Sequence, residues 1–304
     1  MEPFDSLIIF AASMASLVVT SEATVMSAES LSHRLRLPQV VVGMFFLAIG
    51  TSLPELAITA FAALEGEAKI VLAMLPGANV SDATLVLGVA GLFGAITIRK
   101  KDAWPLVAAS LMSAAVSAAA LISGRLDAAF GVFAILMFAA STYFLVRENH
   151  GRRARAHGNV MHHAAVVVAS IGGVLLSSHF VVASTIGISG LFGIPEALIA
   201  GLVIAFGTTL PEMAVSSIAM AEKRFSLALG NVAGSLITNL GLILGVASLS
   251  ASFPLAAEDV MFFSASLIAG LLTAAISLRR RLHPHESLGL LFVYIMFFVL
   301  MLAK

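Results

Sequence analysis

The sequence predicts an all-α membrane protein with ten transmembrane helices, arranged as two inverted-topology five-helix repeats. Three observations predict it. The 304-residue chain is 60% hydrophobic and only 11% charged, with a mean hydropathy of +1.03. An ordinary soluble domain carries about 25% charged residues, so this chain cannot cover itself in water. Long apolar runs recur along its whole length. And the segment GTSLPE at Gly50–Glu55 returns as GTTLPE at Gly207–Glu212.

Hydropathy and chain breakers place the spans at residues 6–31, 38–64, 68–97, 103–123, 127–147, 161–186, 195–221, 225–250, 256–278 and 285–303. The first follows Glu2 and Asp5 with no basic cluster, a poor signal peptide, and reads as a retained helix. The second, third, seventh and eighth are rich in Gly, Ser and Thr, which suits close helix packing or a polar pathway better than lipid contact. Five spans precede a short basic linker and five follow it. The expected division is a first repeat at 1–147, a cytoplasmic linker at 148–160 and a second repeat at 161–304. The linker holds His150 and His157, with His162 and His163 just after it, and reads as a solvated loop too short for a regulatory domain.

Loop charge supports this count. Arg34, Arg36, Arg99, Lys100, Lys101, Arg147, Arg152, Arg153, Arg155, Lys223, Arg224, Arg279, Arg280 and Arg281 all fall on one side. Lys69, Arg125 and Lys304 fall on the other. One missed helix would scramble that alternation. The positive-inside rule makes the first side cytoplasmic and places both termini outside.

A constant offset of 157 residues pairs Ser21 with Ser178, Pro38 with Pro195, Ala48 with Ala205, Glu55 with Glu212, Gly77 with Gly234 and Gly88 with Gly245. An odd number of spans per half makes the second repeat enter the membrane from the opposite side. Transporters built this way place their site at the repeat interface near the midplane.

Other classes are excluded by what the sequence lacks. There is no Cys, hence no disulfide framework or thiolate metal site. Zero net charge argues against a nucleic-acid partner. An intramembrane hydrolase would need a nucleophile–base pair or metal motif, and neither HExxH nor GxSxG occurs. The chain does not read as an enzyme.

The repeated segment carries the chemistry. A carboxylate at the bilayer centre costs roughly 3 kcal/mol or more, so Glu55 and Glu212 are functional candidates by position. Ala48, Thr51, Ser52 and Glu55 share one helix face, as do Ala205, Thr208, Thr209 and Glu212. Pro54 and Pro211 free the carbonyls of Gly50 and Gly207, which membrane-depth backbone tolerates where it lines a cavity. These hard oxygens suit Ca²⁺, with about 6–8 ligands, or Na⁺. The lack of imidazole and thiolate disfavours zinc and copper. The following helix adds Asp82 in GANVSD, and Ser235, Thr238 and Asn239 in GSLITN; Asp82 and Asn239 are repeat partners. Three ionised acids together repel, so Asp82 is expected to be protonated, or ionised only with an extra cation. Ser13, Ser16 and Ser110 read as helix back-bonding hydroxyls. Glu22 and Glu29 lie either at a pathway mouth or in water at a helix end.

These segments resemble the paired alpha repeats of the sodium/calcium exchangers, in the cation/calcium antiporter superfamily. The resemblance implies a diamond of four sites between the halves. Glu55 and Glu212 would bridge a central Ca²⁺ with Thr51, Thr208 and the carbonyls of Ala48 and Ala205. Ser52, Thr209 and Ser235 would complete flanking Na⁺ positions, with Asp82 and Asn239 facing the middle. It implies exchange of Na⁺ for Ca²⁺, with the first and sixth helices sliding to switch access, in the plasma membrane. Lipid and the transported cations would be the partners, with no cofactor beyond the transported ions. A H⁺/Ca²⁺ antiporter, or a carrier of another divalent ion, is the alternative on the same fold. The pattern departs from the family at Ala78, where Ser is usual, at Met74 and Pro76, and in placing the middle acid, Asp82, in the first repeat.

Overall fold

The computed structural model describes residues 3–34, 49–92, 96–97, 100–148, 160–223, 225–279 and 281–303. Its helices are α1 (Pro3–Arg34), α2 (Ile49–Thr51 and Leu53–Glu65), α3 (Ala68–Val80, Ser81–Val86 and Leu87–Gly91), α4 (Lys100–Ser123) and α5 (Ala128–Glu148). The chain continues with α6 (Val160–Phe192), α7 (Glu196–Leu198, Ile199–Ile204, Ala205–Thr208 and Leu210–Ala221) and α8 (Phe225–Ile237, Thr238–Ile243 and Leu244–Ser250). It closes with α9 (Ala257–Leu278) and α10 (Pro284–Leu302).

Among the described residues, eight helices are long and apolar enough to cross a membrane. The described apolar stretch of α5, Ala128–Tyr143, is shorter. The expected span at 38–64 falls partly on residues outside the described set, as do Ala48, the loop basics Arg36 and Arg99, and most of the linker.

Three boundaries differ from expectation. The second span is interrupted: α2 breaks at Ser52, and α7 breaks at its repeat partner Thr209. The prolines that follow, Pro54 and Pro211, occupy the first turns of the resumed helices, where a missing N–H is tolerated. The sixth helix runs past Ile186 to Phe192, because Gly187 and Gly190 do not stop it. Gly193, with φ +66°, does so by adopting the left-handed conformation of a helix end. The third span ends at Gly91 rather than residue 97.

Ile96–Thr97 (β1) instead pairs antiparallel with Arg281–Leu282 (β4), and Arg125–Leu126 (β2) pairs with Phe253–Pro254 (β3). These two-residue ladders qualify the all-α expectation. Each joins a loop of the first half to a loop of the second.

Burial grades from centre to edge. The spanning window of α3 is 94% buried and that of α8 83%, against 22% for α1 and 33% for α6. Lipid is as apolar as Leu, so close approach and polar contacts hold such helices together. At Gly77 of α3 an added Cβ would run into the carbonyl of Gly201 on α7, and at Gly201 it would meet the ring of Phe262 on α9. The outer pair α1 and α6 is stitched by hydroxyls: Thr24 Oγ1 donates to Ser170 Oγ and Ser177 Oγ to Ser16 Oγ, each at 2.8 Å.

Candidate functional site

Four helices meet at the centre, α2 and α3 from the first half with α7 and α8 from the second. The site depends on how they are broken. The turns Ser81–Val86 in α3 and Thr238–Ile243 in α8 are π-helical and lie at the same 157-residue offset as the repeat itself. Such single wide turns recur at functional positions because they re-aim side chains. Here they carry Asp82 and Asn239. The Asn239 amide donates to Asp82 Oδ2 at 3.3 Å, and the Asn79 amide to the Leu236 carbonyl at 3.2 Å. Each bond links residues 157 apart, so α3 and α8 cross where the two halves face each other.

The acids converge and are buried. Glu55, Asp82 and Glu212 are each 0% exposed. Glu212 feels the charge of both Glu55 and Asp82, and Asp82 that of Glu55. The threonines are exchanged across the halves: Thr208 lies against the Glu55 carboxylate and Thr51 against that of Glu212. Ser235 Oγ donates to Glu212 Oε1 at 3.4 Å. Glu55 Oε1 and Oε2, Glu212 Oε2, Asp82 Oδ1, Ser52 Oγ and Asn239 Oδ1 are all buried without a hydrogen-bond partner among the described residues. Native interiors seldom leave so many buried polar atoms unpaired in one place.

The structure therefore gathers Thr51, Ser52, Glu55, Asp82, Ala205, Thr208, Thr209, Glu212, Ser235 and Asn239 on the central helices, all buried. Ala48 lies outside the described residues. Thr208 and Thr209 bond back to the carbonyls of Ala205 and Phe206 at 3.3 and 3.0 Å. That geometry spends the hydroxyl proton on the helix and leaves the oxygen lone pairs for a cation. Back-bonding expected elsewhere is not seen: Ser16 Oγ accepts from Ser177, and Ser110 Oγ has no partner among the described residues. Glu22 is exposed. His179, at its repeat position, sits 3.6 Å from Glu65 Oε1.

Two supporting residues escaped the sequence reading. Asn231 donates to the Glu212 carbonyl at 3.3 Å and to Ser216 Oγ at 3.0 Å. Asn79 also donates to Ser113 Oγ at 2.8 Å. Both precede the motif acid or amide on the same helix, but their repeat partners are Met74 and Leu236, so the duplication did not flag them.

Among the described residues, no three His, Cys, Asp or Glu side chains are placed to hold a metal by themselves. A cation here would need the hydroxyl and carbonyl oxygens as well. An open cleft of about 410 Å³ lies elsewhere, lined by Pro195, Leu198, Glu258 and Met261 among others, and contains none of these residues.

Known proteins share this plan. The chain is 27% identical to the sodium/calcium exchanger MaX1 of Methanosarcina acetivorans, over 94% of this chain and 95% of that one. It is 25% identical to the inner membrane protein YrbG of Escherichia coli, over 90% and 89%. The solved sodium-calcium exchanger NCX_Mj, soaked with 2.5 mM Na⁺ and 10 mM Sr²⁺, superposes with a TM-score of 0.72 at 23% identity, covering 97% of this chain and 98% of that one. At that identity the likeness speaks for the fold. The family model described as sodium/calcium exchanger protein matches residues 5–147 and 162–303. Two matched halves around an unmatched linker leave one assignment: this multi-pass membrane protein is a transporter, not an enzyme, and belongs to the sodium/calcium exchanger family.

Proposed function

We propose that the chain is a secondary active antiporter that exchanges Ca²⁺ for Na⁺ by alternating access at a site formed by Glu55 and Glu212. The observation that carries this reading is the pair of fully buried, mutually repelling glutamates with unpaired oxygens. Such a pair is tolerable only while it holds positive charge. Ca²⁺ or several Na⁺ can each supply it. If the empty site is too costly to cross the membrane, only loaded forms change access, and obligatory exchange follows.

In this reading the halves 1–147 and 161–304 are inverted repeats of five helices each. The offset shared by the π turns and by the Asp82–Asn239 bond supports that relation. Ligands to the central ion come from Glu55, Glu212, Thr51, Thr208 and the carbonyls of Ala48 and Ala205. Ser52, Thr209 and Ser235 serve the flanking ions, with Asp82 and Asn239 between them. No cofactor takes part beyond the transported ions, and the partners are lipid and cations, not nucleic acid. The loop-charge asymmetry supports an orientation with both termini outside, and analogy with the family supports the plasma membrane.

The decisive experiment is Ca²⁺ flux in proteoliposomes. Glu55→Gln and Glu212→Gln are each expected to abolish it in protein that still folds. Near-normal flux in either variant would sink the assignment. A second reading, H⁺-driven exchange on the same fold, is favoured by the third acid, Asp82. Imposing Na⁺ and pH gradients separately distinguishes the two.

A further inference from the structure

The two flanking sides of the site are not equivalent. On the second-half side, Ser235 stands beside Glu212 and reaches Oε1 at 3.4 Å. The residue at the same offset in the first half is Ala78, fully buried and without a side-chain oxygen. The helices around the two positions are alike. Each lies three residues before its π turn, at Ser81 and at Thr238, and each helix carries its amide or acid at the same offset. A side chain at 78 therefore stands to Glu55 as Ser235 stands to Glu212. The consequence is visible in the hydrogen bonding: both carboxylate oxygens of Glu55 are unpaired among the described residues, against one of Glu212.

We propose that Ala78 removes a monovalent-cation position on the Glu55 side, so that Na⁺ is held on the Glu212 side and fewer Na⁺ ions exchange per Ca²⁺ than a symmetric site would bind. The inference rests on the antiport reading above. The physical reason is the ion's charge. A divalent ion between two carboxylates keeps both formal charges and most of its oxygens when one hydroxyl is missing. A monovalent ion beside a single carboxylate depends on neutral oxygens to replace its water, and the Glu55 side has Thr208 nearby but no counterpart of Ser235. Among the described residues, no side chain of α3 reaches a carboxylate oxygen of Glu55 by a hydrogen bond in the way that Ser235 of α8 reaches Glu212.

The test is Na⁺-dependent Ca²⁺ efflux from proteoliposomes holding the full chain, with the Hill coefficient for Na⁺ and the reversal potential measured together. Ala78→Ser is expected to raise the Hill coefficient by about one and to shift the reversal potential toward more charge moved per Ca²⁺. Ser235→Ala is expected to lower the coefficient by about one, with Ca²⁺ affinity changed less than Na⁺ affinity. An Ala78→Ser protein that transports Ca²⁺ with an unchanged coefficient and reversal potential overturns the inference. If that variant does not fold, an unchanged coefficient in Ser235→Ala overturns it instead. Absence of Ca²⁺ flux from the unsubstituted chain would refute antiport itself, a distinct failure.

Discussion

Gly77→Ala should damage the protein through a single methyl group. A Cβ at this position falls on the Gly201 carbonyl oxygen of α7 and comes within 3.0 Å of the Gly201 carbonyl carbon and Cα. All three neighbours are backbone, so no rotamer change relieves the clash. Reaching ordinary van der Waals distance requires α3 and α7 to part by roughly 1 Å, and overpacking of this kind costs about 1–3 kcal/mol. The rigid partner puts the cost near 3 kcal/mol, equivalent to a fall of about 5–10 °C in the melting midpoint. The same displacement separates the helix carrying Asp82 from the helix carrying Thr208 and Glu212, and a misplacement of about 1 Å at a working site can cost ~100-fold in rate. Thermal unfolding in detergent and Ca²⁺ uptake in proteoliposomes measure the two effects. Gly190→Ala on α6 is the control, because a Cβ there meets nothing within 4 Å; it should leave flux intact and hold or raise stability by up to ~1 kcal/mol. A Gly77→Ala protein that melts and transports like the parent would refute the close crossing of α3 and α7.

Asn231→Ala removes the amide that holds the Glu212 carbonyl and Ser216, and should cost about 1–3 kcal/mol while weakening Ca²⁺ binding in a titration of the detergent-solubilised protein; loss of stability alone, with binding unchanged, would deny Asn231 a positioning role. At the start of α5, the Asp127 carboxylate accepts the N–H groups of Phe130 and Ala129, each at 3.1 Å, and pairs with Arg125 at 2.9 Å. The Phe130 N–H first, and then Arg125 and Ala129, hold its carboxyl below the usual carboxylate range. The folded value is the lower one, so its stabilisation is present above the unfolded pKa of about 3.9 and is lost as pH falls through the folded value. Melting midpoints followed into acid should fall more steeply for the parent than for Asp127→Asn, and parallel curves would show that this exposed cap contributes nothing.

The sequence by itself determined a great deal here, because the membrane narrows the choices. Backbone groups in lipid must bond within their own segment, so hydropathy was enough to mark the eight described helices that are long and apolar enough to cross a membrane. A carboxylate is expensive in lipid, so Glu55 and Glu212 announced themselves, and the 157-residue offset tied them to Thr51, Thr208, Asp82 and Asn239. Periodicity has no signature for a single π turn, and the wide turns at Ser81 and Thr238 were visible only once the helices had been built. Nor could the offset say that Thr208 lies against Glu55 and Thr51 against Glu212. That exchange arises where two halves pack face to face, and helix spacing within either half contains no trace of it. The roles of Asn231 and Asn79 were hidden for the same reason: each bonds a backbone carbonyl and a serine of other helices, which come together only in the packed fold. What the chain encodes locally is the cost of burying each acid, and only the packing of α2, α3, α7 and α8 decides which oxygens share it.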